Sequence, residues 1–298
     1  MKPDKCRMLI RYITLRLFNV KAFAAAFFIL LIFDIQAQEL YVSTEPASNM
    51  PAKSIGLRLN NYLMPPYQNS KFGVKNNEFM YRFNPEIMWG ISKHYMLHIN
   101  MYASNMHQEY LKFEGASLYL KYRFLSMDHS HKHFRMAAYL KSSLINNKIQ
   151  YHDLNLSGDN SGIGVGIVAT QLLNKLAVSF TGGYIKAINN INNDLVSGQP
   201  TQAFNYSLSS GYLVLPIKYK NYNQPNFNLY AEFLGKYNPE TEEHFIDFAP
   251  ALQVIIKSKM RVDFAYRRQI AGTMLRINNQ EFILKFEYNF FNAYKGKS

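Results

Sequence analysis

The sequence predicts an all-β fold, a single antiparallel up-and-down transmembrane β-barrel of about 12 strands. Three observations support this: roughly a dozen segments alternate apolar and polar residues, the links between them differ in length, and an apolar leader precedes them. Successive side chains of a strand point to opposite faces, so alternation gives each strand one apolar and one polar face. A closed barrel with its apolar face outward is one of two backbone structures that can cross a bilayer.

Residues 1–37 have the organisation of a secretory signal peptide. Six basic residues precede the uncharged stretch 22–33, and Ala37 is the expected cleavage site. The apolar stretch is shorter than the roughly 20 residues that a membrane-spanning helix needs, which disfavours the alternative of a membrane anchor. We therefore expect the chain to be secreted across the inner membrane and the leader to be removed.

Composition excludes several classes of protein. The only cysteine, Cys6, lies in the leader, so the mature chain is predicted to have no disulfide. The leader contains six basic and two acidic residues, and the rest of the chain keeps 27 basic and 18 acidic residues, a net charge of +9. Because the mature chain has no dense Lys/Arg run, nucleic acid is not an expected partner. No cofactor is predicted either.

Twelve predicted strands make up one barrel domain, residues 53–292. An irregular N-terminal segment, 38–52, precedes it, and a C-terminal tail, 293–298, follows it. The strands are predicted near 53–63, 79–91, 95–105, 113–124, 134–144, 161–172, 176–187, 203–215, 226–237, 244–257, 261–270 and 279–291.

The links between these strands predict two different ends of the barrel. Tight turns at 92–94, 174–175 and 258–260 fall on one side, and the longer polar links 64–78, 145–160 and 188–202 fall on the other. Short periplasmic turns and long outer loops are typical of outer-membrane barrels. Two links, 125–133 and 216–225, are longer than this pattern predicts for the short side.

The last predicted strand carries aromatic residues at alternate positions, Phe282, Phe286, Tyr288 and Phe290 among them. With this strand and the organisation above, the mature chain resembles the small, porin-like outer-membrane β-barrel proteins of Gram-negative bacteria. The resemblance implies a location in the outer membrane, contact with outer-membrane lipid, and insertion by the barrel-assembly machinery through the C-terminal strand. The chain departs from the class by continuing to Ser298, and the class itself includes many activities.

Charged residues of the strands are predicted to line the lumen. An Arg or Lys on the lipid face costs about 2–4 kcal/mol at the bilayer midplane, so charges belong on the inner face. Basic residues outnumber acidic ones in this set. The candidates are Arg58, Arg82, Glu86, Lys121, Arg123, Arg135, Lys141, Glu232, Lys236, Asp247, Lys257, Arg261, Asp263, Arg267, Lys285 and Glu287.

Two functions fit such a lumen. One is a channel or transporter for small solutes, whose mixed-charge but net basic lumen favours anionic or polar solutes. The alternative is a structural or surface-interaction barrel whose lumen is filled by ion pairs, since barrels with few strands leave little room inside. No nucleophile motif accompanies Ser142, Ser143 or His152, so enzymatic activity is not predicted.

A remote alternative is a copper- or zinc-related outer-membrane protein. His129, His131 and His133 alternate in a predicted turn, and an extended chain would place their imidazoles on one side. Met96 and His98 share an inward face, and a thioether and an imidazole together suit copper. No carboxylate or cysteine partner is set by the spacing of the histidines, so a solvated turn is the preferred interpretation of that segment.

Overall fold

The structure, a computed structural model, describes residues 41–69, 74–107, 110–129, 132–195, 197–216 and 224–294. Fourteen strands are present in this part of the chain. They are β1 (Ser54–Met64), β2 (Tyr67–Asn69), β3 (Val74–Asn76), β4 (Met80–Gly90), β5 (Tyr95–Ser104), β6 (Lys112–His129), β7 (Lys132–Ile145), β8 (Ser161–Leu173), β9 (Leu176–Ile188), β10 (Gln202–Leu215), β11 (Asn226–Asn238), β12 (Glu243–Ile256), β13 (Met260–Gly272) and β14 (Gln280–Phe290).

Twelve of these strands form a closed barrel, which confirms the predicted fold class. Each barrel strand pairs antiparallel with its sequence neighbours, and β1 pairs with β14 from Ile55 opposite Phe290 to Leu63 opposite Phe282. The two short strands β2 and β3 form a separate hairpin in the link from β1 to β4. Within the described residues, no helix is long and apolar enough to span a membrane.

The outer face of the barrel is apolar and the inner face is polar. On β10, for example, Leu208 is 49% exposed whereas its neighbour Ser209 is fully buried. Leu57, Leu118, Leu229 and Phe264 point outward in the same way. Soluble monomers rarely expose a continuous apolar surface of this extent, so the outer face is suited to lipid.

The two ends of the barrel differ, as predicted. We call the end with residues 54 and 290 the terminal end; its connections are 91–94, 130–131, 174–175, 216–225 and 257–259. We call the opposite end the loop end; its connections are 65–79, 105–111, 146–160, 189–201, 239–242 and 273–279.

Two predictions at the terminal end were wrong. Lys257 does not line the lumen: β12 ends at Ile256, and Lys257 is exposed in the following turn with φ of 52°. The segment 125–133 is not a long link, because β6 and β7 stay paired until His129 opposite Lys132. Leu125 and Met127 continue the apolar alternation, and only residues 128–133 lack it.

The N-terminal segment lies inside the barrel, although it was predicted only to be irregular. We call residues 41–52 the strap. Its residues Val42 and Ala47 are 1% and 0% exposed, and the Ala47 amide donates a hydrogen bond to Thr170 Oγ1 on β8 at 2.9 Å. The ring of Tyr41 meets that of Tyr230 on β11 edge-on, at 5.7 Å. The strap therefore crosses the lumen instead of adding a strand to the wall.

Candidate functional site

The first half of the strap binds one buried carboxylate, that of Glu232 on β11. The backbone amides of Val42, Ser43 and Thr44 donate to it at 3.0, 2.7 and 3.1 Å. The hydroxyls of Thr44 and Ser209 add hydrogen bonds of 2.9 and 3.1 Å. A buried carboxylate requires such donors, and hydrogen bonds to an ionised acceptor are about twice as strong as neutral ones.

The second half of the strap binds basic residues of the wall. Lys121 Nζ donates to the carbonyl oxygens of Pro46 and Ser48 at 2.7 and 2.8 Å. Arg135 Nη1 donates to Ser48 Oγ at 2.9 Å. Two of the predicted lumen residues thus hold the strap, Lys121 through backbone carbonyl oxygens and Arg135 through the hydroxyl oxygen of Ser48.

Arg58 joins the strap to the wall between these two halves. Its Nη1 lies 2.6 Å from Glu45 Oε1 of the strap and 3.2 Å from Glu86 Oε2, and its Nε lies 2.8 Å from Glu287 Oε2. His98 Nδ1 lies 2.5 Å from the other oxygen of Glu86. One guanidinium therefore serves three carboxylates in a largely water-free position, where breaking such a network is costly.

Glu45, Glu86 and His98 also form a group of metal-ligand type. Their ligand atoms all lie within 4.8 Å of one another. Arg58 already contacts both carboxylates, however, so a divalent cation there would meet a fixed positive charge. Met96, which shares the inward face with His98, accepts a hydrogen bond from the Met50 amide at its sulfur, at 3.3 Å. This arrangement favours an ion-pair network over a metal centre.

The loop end of the lumen is covered by residues 146–160, which we call the inward loop. Arg82 on β4 binds the Asp159 carboxylate and the Ser157 carbonyl, the latter at 3.1 Å. Lys236 on β11 binds the Asp153 carboxylate and the Leu154 carbonyl, the latter at 2.6 Å. This loop comes directly after β7 in the chain. It lies in the lumen because Asp159 and Asp153 pair there with Arg82 and Lys236, two basic residues of the barrel wall.

A second connection completes this cover. Arg276, between β13 and β14, binds both oxygens of Asp247 at 2.8 and 2.9 Å and lies 3.1 Å from Asp153. Its guanidinium also stacks over the Phe245 ring at 3.8 Å. Arg276 was not among the predicted lumen residues, because it belongs to an irregular link and shows no strand period.

Within the part of the chain that the structure describes, a cavity lies in the lumen on each side of the strap. The central cavity, between the strap and the inward loop, has a volume of about 410 Å³. The lower cavity, between the strap and the terminal end, has a volume of about 370 Å³. Glu45 and Arg58 line both cavities, so their ion pair forms the wall between them.

The other predicted lumen charges have distinct positions. Arg261 lies 3.1 Å from both Glu287 and Asp263, and Arg267 lies 2.6 Å from Asp247. Arg123 is half-buried near the terminal end. The remaining two, Lys141 and Lys285, line the central cavity. Apart from Lys257 and Arg123, the predicted residues contact other groups inside the barrel or line its cavities.

The histidine segment lies at the tip of the β6–β7 hairpin. His133 Nδ1 lies 2.9 Å from Asp128 Oδ1, its partner across the hairpin. His129 pairs with Lys132 and therefore points to the other face, while His131 lies outside the described residues. Metal binding by this hairpin stays a prediction, and it would now have to use His133 with Asp128.

Ser143 and His152, which share a short stretch of sequence, do not meet in the structure as a catalytic pair. Ser143 Oγ donates to the Asn160 carbonyl at 2.7 Å, and His152 Nδ1 lies 2.6 Å from Glu243 Oε2. Both contacts hold the inward loop in place.

The ion pairs of Glu45 and of the inward loop are predicted to persist in mild acid. Burial alone raises the pKa of Glu45, but the charges of Arg58 and Lys121 outweigh it and lower the pKa to about 2 from an ordinary 4.5. Burial likewise raises the pKa of Asp153 and Asp159, but their basic neighbours outweigh it, so that both pKa values lie below their usual range. A carboxylate with a lowered pKa stabilises the fold above its ordinary pKa, and this is lost only as pH falls through the lowered value.

Hydrogen exchange at pH 7 and pH 4.5, corrected for intrinsic rates, is the measurement that checks this. We expect equal protection of residues 146–160 at the two values. A selective loss of protection at pH 4.5 would contradict the assignment of these ion pairs.

Comparison with known proteins places the chain by fold alone. No family model and no curated protein matches it. An outer-membrane channel from Pseudomonas putida F1 is similar with a TM-score of 0.55 and 12% identity, over 84% of this chain and 100% of that one. The KdgM porin is similar with a TM-score of 0.46 and 8% identity, over 79% and 99% of the two chains. The outer-membrane phospholipase A of Escherichia coli has a TM-score of 0.41 and 10% identity, over 89% and 98%.

The fold and the lumen together define the class of protein. The chain is a closed 12-stranded β-barrel with an apolar outer face and a charged interior, the fold that it shares with the outer-membrane channel.

Proposed function

We propose that this chain is an outer-membrane channel for small polar solutes, which the strap holds closed. The predicted signal peptide and the apolar outer face support a location in the outer membrane, with the terminal end toward the periplasm. The fold shared with a bacterial outer-membrane channel is consistent with this proposal.

The observation that carries the proposal is the division of the lumen by the strap. The central and lower cavities are separated at the Glu45–Arg58 ion pair. The strap pairs with no strand of the barrel, and it is bound through side chains of the wall. It can therefore leave without breaking a hydrogen bond of the sheet, and its departure would join the two cavities.

The charge of the lumen supports a preference for anions. Basic residues that line the central cavity outnumber acidic ones, and a channel wall of one net sign raises the local concentration of ions of the opposite sign. A second candidate, a structural or surface-interaction barrel, is favoured by the same strap and inward loop, because together they fill the lumen from both ends.

A reversible lock of the strap separates the two candidates. Thr44 Oγ1 and Ser209 Oγ lie 2.8 Å apart, so cysteines at both positions are placed to form a disulfide, and the mature chain has no other cysteine. In planar bilayers we expect the oxidised Thr44→Cys/Ser209→Cys variant to be silent. After reduction it should open with a preference for chloride over potassium.

The Thr44→Cys single variant is the matched control and should open in oxidant and reductant alike. Openings in the fully oxidised double variant would show that the strap is not the gate. Silence of the wild type, the control and the reduced double variant would favour the barrel with a permanently occluded lumen.

A further inference from the structure

Two basic side chains of the central cavity make no direct contact with a carboxylate. Seven Lys and Arg residues line this cavity, and five of them contact a carboxylate: Arg58, Arg82, Lys236, Arg267 and Arg276. Among the described residues, Lys141 Nζ contacts only Ser157 Oγ of the inward loop, at 2.5 Å. Lys285 Nζ contacts no hydrogen-bonding or charged group of the described chain.

The position of Lys285 makes its missing partner informative. The residue is only 7% exposed, on β14, and it lines the cavity. Its neighbours across the sheet are Asn60 and Asp263, but Asp263 is 3.1 Å from Arg261. Removing an ammonium group from water is costly unless a counter-charge replaces the water. Lys285 thus places a buried ammonium group beside the cavity without a direct ion-pair contact, and the carboxylates of Asp263 and Glu86 act on it only from a greater distance.

The rest of the cavity wall suits an organic molecule. The rings of Tyr119 and Tyr139 stack at 5.4 Å with 28° between their planes, and both residues line the cavity. Asn100 and Asn205 line it as well. Aromatic surface with a few polar and charged groups is the usual composition of a small-molecule site, and about 410 Å³ is within the range of such sites.

We propose that the central cavity is a binding site for a small organic anion, whose carboxylate or phosphate group is held by Lys285 and Lys141. This inference rests on the proposed function, since it names the class of solute that the channel selects. Lys141 also contacts Ser157, so an anion at Lys141 competes with one of the contacts that hold the inward loop.

Calorimetry on the full-length mature barrel in detergent tests the site directly. The probes are D-glucuronate, D-glucose 1-phosphate and D-glucose, which are similar in size and differ in charge. We expect the two anions to bind and glucose not to bind, and the stronger of the two distinguishes a carboxylate from a phosphate site. Lys285→Met and Lys141→Met should each weaken anion binding at least tenfold. Lys186→Met, at an exposed position of β9, is the matched control and should leave it unchanged.

Both variants are expected to fold, because removing a cation that makes no direct contact with a carboxylate leaves no carboxylate unpaired. Heat-modifiable gel migration checks this, and Lys285→Gln replaces Lys285→Met if the latter does not fold. Equal affinity for glucose and the anions would overturn the proposal, as would binding of neither anion or unchanged affinity in both lysine variants.

The outcomes also separate this site from the channel. Anion binding by a barrel that shows no conductance in bilayers would support the proposed site and contradict the proposed channel. Conductance without anion binding would support the proposed channel and contradict the proposed site.

Discussion

Replacement of Arg58 by methionine is expected to lower the free energy of unfolding by about 3–5 kcal/mol, the usual cost of removing one partner from a buried ion network. Glu45, Glu86 and Glu287 would lose the cation that they share. Methionine fills much of the same space, so the loss would report charge more than packing. Urea unfolding in lipid vesicles measures it through the fluorescence of Trp89, the only tryptophan.

Arg135→Met is the comparison variant for this prediction, since it removes one ion pair and one hydrogen bond to the strap, from Nη1 to Ser48 Oγ. Its partner Asp128 has a side chain that is 47% exposed, and exposed ion pairs contribute about 0–1 kcal/mol. Equal losses in the two variants would mean that the Arg58 network is no more important than an ion pair at the surface. Adding Glu45→Gln to Arg58→Met should recover part of the loss, because one unpaired carboxylate is then removed.

Replacement of Glu232 by glutamine is expected to release the strap. Both oxygens of the Glu232 carboxylate accept hydrogen bonds from the three strap amides. A glutamine side chain keeps one acceptor oxygen and replaces the other with an NH2 group, which donates and cannot accept from a strap amide. Hydrogen bonds to a charged acceptor contribute roughly 1.5–3 kcal/mol each, so the loss of one or two should speed hydrogen exchange of residues 41–52 by at least tenfold. Openings in planar bilayers should become more frequent.

Glu281→Gln is the control for this second variant. Glu281 lines the same cavity and contacts Arg267 at 3.2 Å, with no contact to the strap among its described interactions. Exchange of residues 41–52 should be unchanged in this variant. Unchanged exchange in Glu232→Gln as well would show that the carboxylate does not hold the strap.

The barrel was predictable because its signal is local and repeated. A strand with one face to lipid and one to the lumen must alternate, and the structure places most strand ends within one or two residues of the predicted ones, β8 at Ser161–Leu173 among them. The alternation of inward and outward positions along each strand, which we call parity, also identified the residues that bind the strap, Lys121, Arg135 and Glu232.

Parity failed where the strand is irregular. Glu114 was not predicted to face the lumen, since an even position on β6 shares its parity with the outward Leu118. A bulge opposite Tyr102 and Ala103 shifts the register at Gly115, and Glu114 turns inward to Arg82 Nε at 3.2 Å. Gly115 has φ of 148°, and a Cβ there would lie 2.1 Å from the Leu144 carbonyl oxygen, so the bulge requires glycine.

The strap and the inward loop could not be predicted for a different reason. Glu45, Asp153 and Arg276 lie in segments without a period, and their partners are far away in sequence. Irregular segments beside a barrel are normally assigned to solvent. The predicted inner face has more basic than acidic residues, and buried basic residues need carboxylates as partners. Only this imbalance could have indicated that these segments enter the lumen.

The position of the strap also sets an order of events during assembly. The strap precedes every strand of the barrel, yet its main binding partner on β11 follows it by 190 residues. Contacts between such distant parts of a chain form late, because the intervening chain must first be ordered. The strap can therefore take its position only once β11 is ordered, so its insertion into the lumen belongs to the late part of barrel formation.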